Sequence, residues 1–342
     1  MDQTGTMPAV SNAPAATAAR STFAQQRRRQ LLQGAIVLLL ITLLPLFVTN
    51  AYLRNVLVLT LLYAALAQSW NILGGYCGQV SLGHALYFGV GAYAASKLFV
   101  DHGVVVWFGM LAGGALAALL ALVVGYACFR LKGHYFSIAT ILFAEIGLTL
   151  LHNWDYVGAA TGIQWPFGAD SWWTLQFARD KTPYIYVALG LAAIVWLVTW
   201  WIEDSRWGYW WRAVKDNPDA AQSLGVTVFR SKMAASALSA FFTAAGGAFY
   251  AAFVSYVDPD SVMNFRFSLL MALPVVLGGI GTLWGPVLGA ALLIPLTEFS
   301  RSYLGGGGNG VDLMIYGALV MSVALIKPEG LVRLFAKRMA AR

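Results

Sequence analysis

From Asn55 to Ser96 the chain reads NVLVLTLLYAALAQSWNILGGYCGQVSLGHALYFGVGAYAAS, 42 residues without a charge. About 20 apolar residues cross a bilayer core of roughly 30 Å, so this run is long enough for two spans. Gly74, Gly75, Gly78 and Gly83 cluster between the halves, which makes the stretch a membrane hairpin interrupted by glycine. Phe267–Thr297 repeats the pattern: 31 residues hold Pro274, Gly278, Gly279, Gly281, Gly285 and Pro286 near the middle. Two interrupted hairpins in one chain set the architecture to be tested against everything else.

Single spans fill in the rest. Leu31–Leu53, His102–Phe129, Thr182–Ile202 and Met233–Val257 are uncharged, Gly133–Trp154 crosses despite Glu145, and Val311–Ile326 makes a shorter final helix. The expected fold is therefore all-α, a polytopic transmembrane helical bundle of about ten spans with two Gly/Pro-interrupted hairpins. Composition agrees: 59% of the 342 residues are hydrophobic, 11% are charged, and the mean hydropathy is +0.67. Such a chain has too little polar surface to cover itself in water. Residues 1–30, rich in Ala, Ser, Thr and Gln, read as a disordered cytosolic tail. Residues 31–327 form the transmembrane domain, and 328–342 a basic cytosolic tail. The 23 uncharged residues of Leu31–Leu53 exceed a signal-peptide core, so that run is a span rather than a cleaved leader.

Lys and Arg accumulate on the cytoplasmic side of membrane proteins. With both termini inside and ten spans, 16 of the 22 basic residues fall in cytoplasmic segments: Arg20, Arg27–Arg29, Arg130, Lys132, Arg206, Arg212, Lys215, Arg230, Lys232, Lys327, Arg333, Lys337, Arg338 and Arg342. The net charge of +7 is then a matter of orientation at a lipid surface. Dispersed over four flanking segments, these residues make no patch that could track a nucleic-acid groove. The aromatic residues Trp154, Trp165, Trp172, Trp173, Tyr184 and Tyr186 mark the long external loop, residues 153–183, as interfacial. Cys77 and Cys128 sit in apolar runs as buried thiols with no metal-ligand spacing.

The inner loop 203–232 carries the most local information. Asn217 stands as an N-cap, Pro218 at the first helical position, Asp219 in the first turn and Gly225 just past the end. These signals specify a helix of about two turns. So short a helix is marginal alone in water, which points to a binding partner. Before it, Trp207, Trp210, Trp211 and Val214 share one side at helical spacing, with Arg212 and Lys215 available to headgroups, as in an interfacial helix.

Candidate pathway residues follow from the cost of polar groups in lipid. Glycine-interrupted segments recurring in the two halves of a transporter point to its pathway, and Gly75 and Gly78 in the first hairpin pair with Gly279 and Gly281 in the second. Close packing through small residues is the competing account of the same glycines. Ser81, His84 and Glu145 are the polar side chains expected to face the interior, because an ionisable group facing lipid costs several kcal/mol.

Asp219-Ala220-Ala221-x-x-x-Gly225 resembles the coupling-loop signature of bacterial ATP-binding-cassette import permeases. Three more segments resemble the branched-chain amino acid permeases of the LivM type: Asn71-Ile-Leu-Gly-Gly through Tyr93, Gly133-His-Tyr-Phe-Ser through Ile146, and Gly278-Gly-Ile-Gly-Thr-Leu-Trp-Gly-Pro through Ala290. Lys327-Pro-Glu-Gly-Leu331 fits as well. The resemblance runs from about residue 55 to 335; the chain departs from it in its long N-terminal tail and at Ala159-Ala-Thr-Gly-Ile163.

What the resemblance implies is a permease subunit of the bacterial inner membrane that moves branched-chain or related amino acids, or urea and short amides, by alternating access. Its partners would be two cytosolic ATPases, a second related permease and an external substrate-binding protein. Asn217, Pro218, Asp219, Ala220, Ala221 and Gly225 would form the helix that docks on an ATPase. No Gly-x-x-x-x-Gly-Lys-Ser/Thr loop occurs, so the chain itself has no nucleotide cradle, no cofactor is expected, and ATP hydrolysis would belong to the partner subunits. A secondary carrier or channel working without an ATPase is the alternative, and it would need a coupling-ion site or a charged pore. With four histidines, no His-Glu-x-x-His and no Gly-x-Ser-x-Gly, an enzyme is not indicated.

Overall fold

The computed structural model describes residues 28, 30–45, 48, 50–131, 133–166, 168–177, 180–303, 314, 317, 318, 321 and 331. Most of the expected N-terminal tail, most of the closing span Val311–Ile326 and nearly all of the basic tail 328–342 lie outside the described residues. The chain divides into two compact units, 1–48 and 49–342. The first contributes one apolar helix, α1 (Gln30–Pro45). At a rise of 1.5 Å per residue its 16 residues reach about 24 Å, short of a full hydrocarbon core.

The second unit begins a new helix where the sequence reading had placed the end of a span. Asn50 caps α2 (Ala51–Asn71), its side chain accepting from Tyr52 N at 2.9 Å. The span expected over Leu31–Leu53 therefore ends at Pro45, and Arg54, which had marked the boundary, lies in the first turn of α2. A local cap overrides a boundary drawn from charge alone.

After α2 come α3 (His84–His102), α4 (Val106–Cys128), α5 (His134–His152), α6 (Thr182–Glu203), α7 (Arg206–Asp216), α8 (Pro218–Ser223), α9 (Val228–Val254), α10 (Pro259–Met263), α11 (Phe265–Gly278) and α12 (Gly285–Tyr303). Among the described residues six segments are long and apolar enough to cross a membrane: Ala51–Tyr76, α4, α5, α6, α9 and Pro259–Gly278. The molecule is an all-α polytopic helical membrane protein. Within its second unit α3, α4 and α9 pack on one another, and α2 lies against α6, α9, α11 and α12. Small residues set the spacing: a Cβ added at Gly113 of α4 would stand 3.1 Å from the Gly91 Cα of α3. Lipid tails are as apolar as leucine, so such close approach, rather than water exclusion, holds helices together here.

Two ends can be told apart by following α9. Its C-terminus leads into the short strand β2 (Tyr256–Val257), antiparallel to β1 (Ile163–Gln164), and into α10, whose first turn is closed by a capping box between Asp258 and Ser261. Arg54 and Asp180 join α2 to the start of α6 at 2.7 Å. The hydroxyl and amide of Thr182, both donating to Asp180, hold that carboxyl below its usual range, with Arg54 alongside. Trp165 and Tyr184, expected at the interface, are instead internal: the Trp165 indole donates to Ser96 Oγ at 2.9 Å and the Tyr184 hydroxyl to Leu175 O at 2.9 Å. The N-terminus of α9 leads the other way, to α8 and α7.

Candidate functional site: paired helix breaks above a short helix

The glycine clusters do break both hairpins. Past Asn71 the first helix widens into a π-helical turn, Ile72–Tyr76, and the chain then turns through Gly78 before α3 begins at His84. The second helix ends at Gly278 and resumes at Gly285. Gly78 has φ +72° and Gly281 φ +74°, the left-handed region that L side chains rarely adopt.

The two breaks meet. Asn71, wholly buried, donates from Nδ2 to Thr282 O at 3.0 Å and accepts from Gly281 N at 2.9 Å through Oδ1. Backbone that leaves the helix inside a membrane must find partners within the protein, and this amide supplies one donor and one acceptor. A Cβ at Gly75 would overlap the Asn71 side chain and stand 2.7 Å from Gly281 N. On its other side the first break is held by α5: Ser137 Oγ donates to Val80 O at 2.6 Å, and Leu82 N donates to Thr140 Oγ1 at 3.1 Å.

The seven expected pathway residues separate into three groups. Gly75, Gly78, Gly279 and Gly281 lie at the paired break, where a Cβ added at 75, 78 or 281 would come within 3 Å of a neighbour. Ser81 and His84 belong to a buried chain of hydrogen bonds beside it. Ser239 Oγ gives its proton to Ser69 O at 2.7 Å, so it must accept from His84 Nε2 at 2.8 Å. His84 Nδ1 then accepts from Ser81 Oγ at 3.1 Å, and the imidazole is the Nε2–H tautomer. With both ring nitrogens used on the protein, His84 joins α3 to α9 as a structural group.

Glu145 goes elsewhere. It is exposed on the outer side of α5, along an open groove of about 930 Å³ with Leu142, Ile146, Thr149, Leu150, Asn153 and Trp154. The expectation that it faces the interior of this chain is corrected: α5 is the least buried of the six long helices and turns its carboxylate outward.

At the far end, α8 has the local form its caps dictate. Asn217 Oδ1 accepts from Asp219 N at 3.0 Å and Ala220 N at 3.1 Å, Pro218 takes the first turn, and Gly225 has φ +84°. Its two faces differ. Ala221, only 2% exposed, is packed into the chain, whereas Pro218, Asp219 and Ala220 look outward and Leu224 is 84% exposed.

Two residues of α7 also differ from expectation. Arg212 donates to the carbonyls of Glu203 and Gly208 instead of reaching headgroups. Lys215 lies across the breaks: a Cβ at Gly78 would stand 2.9 Å from Lys215 Cγ, and one at Gly281 would stand 2.9 Å from its Nζ. The tryptophan side of α7 packs inward through Trp211, whose indole donates to Ser231 O at 3.0 Å, and through buried Val214. Asn71, Lys215 and Leu224 are thus the positions that sequence reasoning left out of the site. An uncharged run interrupted by an asparagine just before two glycines was the available signal for the first. Among the described residues no group of three or more His, Cys, Asp or Glu side chains comes together to hold a metal.

Comparison with known proteins agrees with this architecture. A family described as "Branched-chain amino acid transport system / permease component" matches residues 52–324. The permease protein LivM of the high-affinity branched-chain amino acid transport system of Escherichia coli K12 is 27% identical over 301 residues, covering 81% of this chain and 69% of that protein. The probable LivM of Methanocaldococcus jannaschii is 24% identical, covering 79% and 90%. LivH of the same Escherichia coli system is 23% identical, covering 79% and 91%. The match takes in both breaks, α5 and the α7–α8 segment, and the chain belongs to the family of permease components of branched-chain amino acid transport systems.

Proposed function

We propose that this chain is one of two related permease subunits in an ATP-driven importer of the bacterial inner membrane. It takes branched-chain or related amino acids, with urea and short amides in the same chemical range, from an external binding protein and releases them to the cytoplasm. Both termini and the α7–α8 segment are cytoplasmic in this reading, and the loop 153–183 is external. The observation that carries it is α8, a capped two-turn helix fixed to one end of the bundle with Asp219, Ala220 and Leu224 turned outward. An isolated leucine that exposed on a helix this short fits an apolar anchor for a partner, and burying it is worth roughly 1.5–3 kcal/mol. Two cytosolic ATPases, one on each permease, are the partners assigned to it. Support for a pair of non-identical permeases comes from the likeness to both LivM and LivH proteins.

Glu145 completes the reading. A charged residue facing lipid at the bilayer centre costs roughly 2.5–3.5 kcal/mol on insertion scales, so its groove on α5 is assigned to the pathway shared with the second permease. There the carboxylate meets the ammonium of the cargo. Alternating access follows if the ATPase pair favours one arrangement of the two permeases over the other.

The test is purification of the chain from its native membrane, followed by reconstitution in vesicles. Co-purified ATPases and uptake that requires internal ATP are expected. Uptake in vesicles holding this chain without nucleotide would replace the importer with a secondary carrier or channel.

A further inference from the structure

Lys215 is the last basic residue of α7, two positions before the Asn217 cap of α8. Its side chain is exposed and passes beside both interrupted hairpins. The stem runs along Gly78, where an added Cβ would stand 2.9 Å from Cγ, 3.1 Å from Cβ and 3.2 Å from Cα. At the other end, Nζ and the Gly75 carbonyl oxygen both lie within 3 Å of the point where a Gly281 Cβ would be, at 2.9 and 2.8 Å. The ammonium therefore stands beside the C-terminal turn that closes the first broken helix, where backbone carbonyls lack helical donors and a cation is favoured. The segment that carries Lys215 is itself held: Arg212 donates to the Glu203 carbonyl at the end of α6, and Trp211 to Ser231 near the start of α9.

From this geometry we infer that Lys215 is a positioning residue, tying the α7–α8 segment to both helix breaks at once. A displacement of α8 is carried through one side chain to α2–α3 and α11–α12 together. Asn71 already locks the two breaks to each other, so they respond as a pair rather than singly. The small residues at 78 and 281 serve the same end, since a side chain at either would occupy the lysine's track. The tie stands on contacts within this chain; its use in transport rests on the importer reading.

Two measurements separate those statements. Hydrogen exchange on the purified full-length chain reads the tie directly. Lys215→Ala should speed exchange at least fivefold in both 72–83 and 279–285, and Lys215→Arg should restore protection in both. Unchanged exchange, or a change in one break only, overturns the inference. Vesicles containing the chain with its ATPases then read coupling, with radiolabelled leucine as cargo. Lys215→Cys should lower uptake per ATP hydrolysed at least tenfold, and aminoethylation with bromoethylamine, which rebuilds a lysine-like side chain, should recover it where neutral ethylation does not. Equal recovery by ethylation, or failure of Lys215→Cys to assemble at all, places Lys215 in packing and also overturns the inference. Wild-type uptake that ignores ATP would sink the importer reading while leaving the exchange result standing.

Discussion

At the scale of single residues, Asn71 shows how a membrane protein affords a broken helix. Its amide meets Gly281 N and Thr282 O, which water would satisfy at a surface but cannot reach in this buried place. Leaving either group without a partner costs about 1–3 kcal/mol. Asn71→Ala is accordingly expected to lower the thermal midpoint of the detergent-purified chain by several degrees and to lower uptake with it. An unchanged midpoint would mean that the bridge does not hold the breaks together. Gly75 gives a sharper comparison, because a control glycine exists in the same chain. A Cβ at Gly190 meets nothing within 4 Å, whereas one at Gly75 meets Asn71 and the backbone of Gly281. Gly75→Leu should abolish transport and Gly190→Leu should leave it near wild type, measured at matched expression. Equal behaviour of the two variants would remove the paired break from the working parts.

Among elements, α8 shows what a sequence can specify and where it stops. Start and stop signals are local chemistry, and Asn217, Pro218 and Gly225 wrote this helix legibly because caps act within a few residues of themselves. Which face of it packs is a tertiary fact. Ala221, expected in the docking helix with its neighbours, is turned into the chain, leaving Leu224 outside. Glu145 was misjudged for a related reason. In water the apolar side of a helix names its buried face, but between lipid and protein both sides are apolar, so a helix such as α5 does not reveal which side meets neighbours of its own chain. The breaks in the two hairpins were readable from glycine and proline content, since those residues alter the backbone directly. The partnership between breaks 210 residues apart, Asn71 with Gly281, was not. Two substitutions follow from the corrected faces. Leu224→Asp should leave membrane insertion and thermal midpoint unchanged while removing ATPase recruitment and uptake. Gly225→Val forces a β-branched residue to φ +84°, at about 1–2 kcal/mol, and should reduce coupling without blocking insertion. Normal uptake by Leu224→Asp would end the assignment of α8 as the docking helix.

For the whole molecule, everything turns on which end faces the cytoplasm. α9 has 27 residues, about 40 Å at 1.5 Å each, and it separates the β1–β2 and α10 end from the α7–α8 end by the depth of a membrane. Arg206, Arg212, Lys215, Arg230 and Lys232 gather near the α7–α8 end, which the charge rule would make the cytoplasmic one. The two native cysteines, Cys77 and Cys128, are buried and free, so single added cysteines can be labelled without removing them. Trp173 is 70% exposed on the long loop, and Leu224 is the most open apolar side chain of the α7–α8 end. In intact spheroplasts Trp173→Cys should react with a membrane-impermeant maleimide, and Leu224→Cys should react only after permeabilisation. Reaction at 224 from outside would put α8 beyond the reach of any cytosolic ATPase, whatever the quality of its caps. Labelling in the expected order would instead leave α8, and Lys215 just before it, on the side from which a cytosolic ATPase could reach them.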